Sequence, residues 1–259
     1  MSYPPPHHLL RDLGFRGTHS PEVARNTLEI TAGLLDSKGA RLGALATLVD
    51  VSGAGVALHA VAPDWIATAD LQLHLIRPVT SGTVSVECRP LRVGAGRVVI
   101  DATLTDENNG ICGTGRMAFS RLPGSATTAS VEQVTNPEPT PYSLDGGTAV
   151  IRPLVELCGI EPVGPGQALL PKTPYVQNSF GTVNGGVLAL AAESAAVSAC
   201  GGGHARDLQI HYLEQIGDGP VAITAEVVRD GENSRLCTVR IEDRSSGRLA
   251  AIADVIVSD

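Results

Sequence analysis

The chain has 259 residues, 43% hydrophobic and 18% charged, which supplies core for one large or two medium domains and excludes a disordered or fibrous protein. A formal net charge of −8, with no Lys/Arg run, excludes a surface that tracks nucleic-acid phosphates. Five cysteines, Cys88, Cys112, Cys158, Cys200 and Cys237, lack CxxC or Cys/His spacing, so reduced packed thiols and no metal site are expected.

The first residues, MSYPPPHHLL, lack the basic and apolar segments of a secretory signal. No run approaches the ~20 unbroken apolar residues of a membrane span, and a cytoplasmic protein is expected. LLRDLGF (9–15) reads as a short helix ending in glycine, and NTLEITAGLL (26–35) as a strand. ARLGALATLVDVSGAGVALHAV (40–61) is helical in character but apolar on nearly every face, so the rest of the fold must wrap it. From Asp70 onward, DLQLHLIRPVTSGTVSVECRPLRVG, RVVIDATLTDENNG and ICGTGRMAFSRL alternate with period two between Gly, Asn and Asp turns, as hairpin-linked antiparallel strands do. LPGSATTASVEQVTNPEPTPYSLDGG then loses all hydrophobic period and reads as a linker.

After the linker the same order returns. LVELCGI (154–160) is the short helix, QALLPKTPYV (167–176) the strand, and NGGVLALAAESAAVSAC (184–200) the apolar helix. DLQIHYLEQIGDGPVAITAEVVRDG, SRLCTVRIEDRSSG and RLAAIADVIVSD complete the strands, with Asp, Leu, Gln and His of DLQIH in register with DLQLH. The expected organisation is a first repeat over 1–122, a linker over 123–147 and a second repeat over 148–259. Each is an α+β unit resembling the hotdog fold, a curved antiparallel sheet wrapped round one long central helix. The two repeats are expected to pair as an internal pseudo-dimer.

Both long helices carry one carboxylate, Asp50 seven residues after Gly43 and Glu193 seven after Gly186, amid Ala, Val, Leu and Gly. A carboxylate in such surroundings is costly unless it is paired or hydrogen-bonded. Gly185 stands eight residues before Glu193, roughly 12 Å along the helix, too far to share a reacting atom. With the helices antiparallel about a pseudo-twofold axis, each helix start faces the middle of the other. Asp50 then meets the Asn178–Gly186 segment, and Glu193 the Asp36–Gly43 segment. A helix start with bare glycine N–H groups suits an oxyanion, and a carboxylate opposite suits a general base.

NSFGTVNGGVLALAAE (178–193) resembles the motif N-x-x-G-x-x-H-G-G-x-x-x-x-x-x-D/E of hotdog acyl-CoA thioesterases of the phenylacetate-pathway type. The resemblance implies that Asn178 and Gly185 polarise a thioester carbonyl, that Asp50 activates water across the repeat interface, and that Thr68 assists it. Asn184, standing where the family has His, and Gly186 are expected to bind substrate. The second composite site reads as degenerate: Leu35, Arg41 and Leu42 replace the Asn, His and first Gly, and Glu193 faces Ala205 instead of a threonine.

The expectation is therefore an acyl-CoA thioesterase, with coenzyme A as part of the substrate, no other cofactor, and assembly into a homo-oligomer. A non-catalytic acyl-CoA or acyl-lipid binding protein and a hotdog enoyl-CoA hydratase are the alternatives, although the hydratase Asp/His motif is missing. His74 and His211 read as interfacial strand residues, and Asp70 and Asp207 as strand-start residues. Arg77, Arg92 and Arg97 read as solvated, and GAGR (94–97) as a hairpin turn. The low aromatic content, 3%, gives little reason to favour an aryl acyl group.

Overall fold

The computed structural model describes residues 3–108, 110–124, 139–144 and 146–259. Of the expected linker, residues 125–138 and 145 lie outside the described residues.

The first half runs α1 (Leu9–Leu13), β1 (Arg16–His19), β2 (Ala24–Glu29), α2 (Leu42–Val61), β3 (Trp65–Leu75), β4 (Thr83–Val93), β5 (Arg97–Thr105) and β6 (Ile111–Leu122). After β7 (Thr140–Ser143) come α3 (Leu154–Leu157), β8 (Glu161–Gly164), β9 (Gln167–Leu170), α4 (Gly185–Ala199), β10 (His204–Tyr212), β11 (Val221–Asp230), β12 (Ser234–Asp243) and β13 (Arg248–Ser258). Among the described residues the strands form one antiparallel sheet ordered β7-β1-β2-β4-β5-β6-β3-β10-β13-β12-β11-β9-β8. Apart from β7, the order reads the same from either end under exchange of the repeats.

The seam lies between β3 and β10. DLQLH and DLQIH pair with each other, Gln72 opposite Gln209, His74 opposite Asp207 and Asp70 opposite His211. A motif that pairs antiparallel with its own copy requires a local twofold axis at the central pair, which is the expected pseudo-dimer. The register makes Leu75 the counterpart of Tyr212, and Thr68 that of Ala205.

Each half rolls its strands round one long helix, and the two helices also touch. A Cβ on Gly43 would fall 2.3 Å from the Leu190 Cα, and one on Gly186 would fall 2.2 Å from the Thr47 hydroxyl oxygen. Only glycine allows that approach at these two equivalent positions. Burial on every side explains why neither helix is amphipathic: Leu45, Leu48, Val49 and Val56 of α2, and Leu190 and Ala192 of α4, are all closed to solvent. By length and composition α2 could also cross a membrane, contrary to the sequence expectation, but most of it is buried inside the protein.

Three local expectations need correction. The predicted strand over 26–35 ends at Glu29, because Thr31 Oγ1 and Gly33 N–H both donate to the Val150 carbonyl and draw the chain into a 3-10 turn at Ala32–Leu34. The predicted strand over 167–176 stops at Leu170, since Pro171 and Pro174 cannot donate to a ladder. The linker range also contains a strand: β7 pairs with β1, and Tyr142 stacks on His19 at a ring separation of 4.2 Å. The short strands β1, β7 and β8 carry too little alternation to be read from sequence.

Candidate active site between the repeats

The loop ahead of α4 is organised by two asparagines. Asn178 Oδ1 accepts from the N–H groups of Phe180 (2.9 Å) and Thr182 (3.2 Å), folding the segment back on itself. Asn184 caps α4, its Oδ1 accepting from Gly186 N–H at 2.9 Å. Val187 and Leu188 N–H groups bond to the Asn184 carbonyl. Among the described residues no acceptor meets Gly185 N–H, which leaves one donor open at the positive end of the helix.

The N-terminal segment clasps this loop from the other repeat. His8 Nε2 donates to the Gln177 carbonyl at 2.7 Å, and the Tyr3 hydroxyl donates to the same oxygen at 3.3 Å. His8 Nδ1 accepts from Leu10 N–H and so carries no proton, and burial lowers the pKa of the ring.

Asp50 approaches the start of α4 from the middle of α2. A Cβ built on Gly185 would lie 3.4 Å from Asp50 Oδ2, so carboxylate and helix start are neighbours across the repeat interface. Asp50 Oδ1 accepts from the Thr68 hydroxyl at 2.9 Å. Thr68 sits where a β-bulge shifts the β3–β6 register before Asp70, a device that re-aims a side chain at a sheet's inner face. Burial raises the Asp50 carboxyl from 3.8 to about 6, with the Thr68 hydrogen bond pulling the other way.

A cavity of about 800 Å³ opens beside these groups. Asp50, Thr68, Asn178, Asn184 and Gly185 all line it. Of the chain's three Phe, one Trp and four Tyr, six are in its wall: Tyr3, Trp65, Phe119, Tyr142, Phe180 and Tyr212. The low overall aromatic content is thus concentrated in one place, which composition could not reveal. Trp65 and Phe180, one from each repeat, meet edge to face at 6.1 Å.

The structure brings Asp50, Thr68, Asn178, Asn184 and Gly185 together as the sequence suggested, and corrects Gly186. Its N–H is committed to Asn184 and its Cα packs on Thr47, so it is a packing glycine that does not line the cavity.

The pseudo-equivalent site is closed by its own acid. Glu193 accepts from Leu42 N–H at 3.1 Å and Gly43 N–H at 2.8 Å, the two donors matching those of Gly185 and Gly186. The side chain is fully buried; burial raises its carboxyl, opposed by Arg41 and these N–H groups. Nearby, His204 Nδ1 and Asp36 Oδ2 form a buried pair at 2.7 Å. The extra methylene of Glu, about 1.5 Å, takes its carboxylate onto the opposing helix start. Asp50 is shorter and bonds Thr68, leaving Gly185 N–H open.

The discounted residues lie away from this site. His74 pairs with Asp207 on the exposed sheet surface, and His211 Nε2 contacts the Gln209 amide. Arg97 pairs with Asp70, Arg77 with Asp106, and Gly94 N–H closes a hairpin onto the Arg97 carbonyl. Among the described residues, no three His, Cys, Asp or Glu side chains gather as a metal site. Sequence reasoning missed Tyr212, whose hydroxyl donates to the Gly185 carbonyl at 2.9 Å; the signal was available in the comparison of DLQLHL with DLQIHY.

Residues 42–113 match the thioesterase superfamily, and residues 174–258 match the acyl-CoA thioesterase N-terminal domain. The two matches fall one in each repeat and together span more than half of the chain. An acyl-ACP thioesterase from Bacteroides thetaiotaomicron superposes with a TM-score of 0.61 at 15% identity, covering 90% of this chain and 97% of its own. A Lactobacillus plantarum protein assigned as an oleoyl thioesterase gives 0.62 at 10% identity, over 91% and 96%. A hotdog-fold protein from Alicyclobacillus acidocaldarius gives 0.60 at 10%, over 91% and 92%. These likenesses extend over both repeats and establish the fold. No curated protein sequence matches the chain significantly.

Proposed function

Because the chain belongs to the thioesterase superfamily, as a tandem pair of hotdog repeats and a thioester hydrolase, we propose that it hydrolyses an acyl-CoA thioester at the single composite site built by Asp50, Thr68, Gly185 and Asn178. The observation that carries this reading is the pairing of an open Gly185 N–H with a buried carboxylate supplied by the other repeat. The thioester oxygen would lie on Gly185 N–H, at the positive end of α4, where developing negative charge is stabilised. Asn178 lines the same cavity and has its carbonyl end engaged in the loop, so its amide N–H₂ is the end left to donate a second bond to that oxygen.

Asp50 acts as general base. It takes a proton from a water whose oxygen attacks the thioester carbon, and Thr68 fixes the carboxylate through Oδ1 so that Oδ2 faces that water. Collapse of the tetrahedral intermediate breaks the C–S bond. The proton held by Asp50 passes to the departing thiolate, and free acid and thiol leave. A carboxyl near 6 is ionised at neutral pH yet basic enough to accept the proton. The aromatic wall supports an acyl group that presents a flat or bulky apolar face.

The test is thiol release from a panel of straight-chain, branched and aryl acyl-CoA esters, with wild type and Asp50→Asn side by side. Turnover by wild type and its loss by a factor of about 10²–10⁴ in the variant are expected. Binding of acyl-CoA without thiol release across the panel would instead favour a ligand-binding protein.

A further inference from the structure

We propose that Tyr212 is a positioning residue that aims the Gly185 N–H, and that its presence in one half only is part of what makes one site live and the other closed. The inference rests on the hydrolytic site described above and assigns it a residue beyond the acid, the hydroxyl and the helix start. Tyr212 is the last residue of β10, and its hydroxyl donates to the Gly185 carbonyl at 2.9 Å. The hydroxyl end of its ring packs against Gly185: a Cβ there would stand 3.2 Å from both the Tyr212 Cζ and its hydroxyl oxygen.

The first turn of α4 is therefore held from two sides. Asn184 Oδ1 takes Gly186 N–H, and Tyr212 takes the carbonyl of the same peptide. With that peptide pinned at both ends, the preceding one can rotate little, and Gly185 N–H keeps one direction. Glycine, with its wide backbone freedom, is the residue that most needs such restraint. An oxyanion donor gains its effect from being aimed before the charge develops.

The molecule contains its own comparison. The seam register makes Leu75 the counterpart of Tyr212, and leucine has no hydroxyl to offer the α2 start. There Glu193 takes both N–H groups, and no such restraint is required. A buried tyrosine hydroxyl needs a partner wherever it lies. Here that partner is the carbonyl beside the open donor, and the tyrosine occurs only in the half where that donor is open.

The experiment compares wild type, Tyr212→Phe and Tyr212→Leu by kcat, KM, pH–rate profile and thermal melting on whichever acyl-CoA ester wild type hydrolyses best. Tyr212→Phe keeps the ring and removes only the hydrogen bond. It is expected to lower kcat about tenfold, with KM within twofold and the midpoint of the pH profile unchanged. Tyr212→Leu, which copies the closed half, is expected to lose at least as much. A Phe variant with wild-type kcat overturns the assignment and leaves the hydrolytic reading standing. So does a loss of activity that merely follows a loss of folded protein, or one carried by KM alone. Failure of wild type to release thiol from any ester overturns both.

Discussion

Replacing Asp50 by Asn should damage turnover and strengthen the fold at the same time, by an amount that depends on pH. Burial lifts the carboxyl from 3.8 to about 6. At ~1.4 kcal/mol for each tenfold change in proton affinity, keeping this side chain ionised costs the fold about 3 kcal/mol. The folded pKa is raised, so between about pH 4 and about pH 6 the native state holds a proton that the unfolded chain has released. Stability therefore falls as pH rises through that window and levels off above it. Asn is neutral throughout and can keep the contact with the Thr68 hydroxyl, so it has no such slope. The variant should match wild type near pH 4 and exceed it by up to about 3 kcal/mol at pH 7 to 8, which is roughly 5–10 °C in melting temperature for a chain of this size. Melting curves across pH 4 to 8 give the stability difference, and thiol release gives the activity. A stability difference that stays constant with pH would refute the claim that burial perturbs Asp50. Retained turnover would refute its role as base.

Other consequences can be checked alongside. In wild type, kcat/KM should rise with pH as one group loses a proton with a midpoint near 6, then stay flat to about pH 8; a midpoint near 4 would place Asp50 in open water. Thr68→Val removes a hydrogen bond that favours the ionised carboxylate, so the midpoint should move above 6 while kcat falls about tenfold, and a downward movement would contradict the geometry. Glu193→Gln should leave turnover within about threefold of wild type, measured on the same ester. It should also cost about 1–3 kcal/mol of stability by denaturant titration, because an amide N–H₂ would face one of the two buried N–H donors of α2. Phe180→Ala removes one of the cavity's aromatic walls and should raise KM two- to tenfold, by about 0.5–1.5 kcal/mol, with kcat little changed; an effect on kcat alone would place Phe180 nearer the reacting atoms than the cavity wall.

Sequence determined the features that are periodic or repeated. The apolar helices, the alternating strands and the DLQLH/DLQIH repeat are local patterns, and a copy of a motif paired with itself leaves little choice but a twofold arrangement. The length of a helix turn was enough to separate Glu193 from Gly185 and to assign Asp50 to the facing repeat. Tertiary structure decided what depends on reach and on what lies opposite. One methylene sets whether an acid closes the opposing helix start, as Glu193 does, or stands beside it, as Asp50 does. Gly186 shares its motif with Gly185, yet the approach of Thr47 and the Asn184 cap remove it from the cavity. The strand Thr140–Ser143 lies in a stretch without hydrophobic period, because its order comes from β1 and from the stack of Tyr142 on His19. The aromatic residues stand far apart in the chain and have no common motif. They meet only because the two halves of one sheet roll toward a common seam, and that closure makes a chain poor in aromatics rich in them where a substrate would bind.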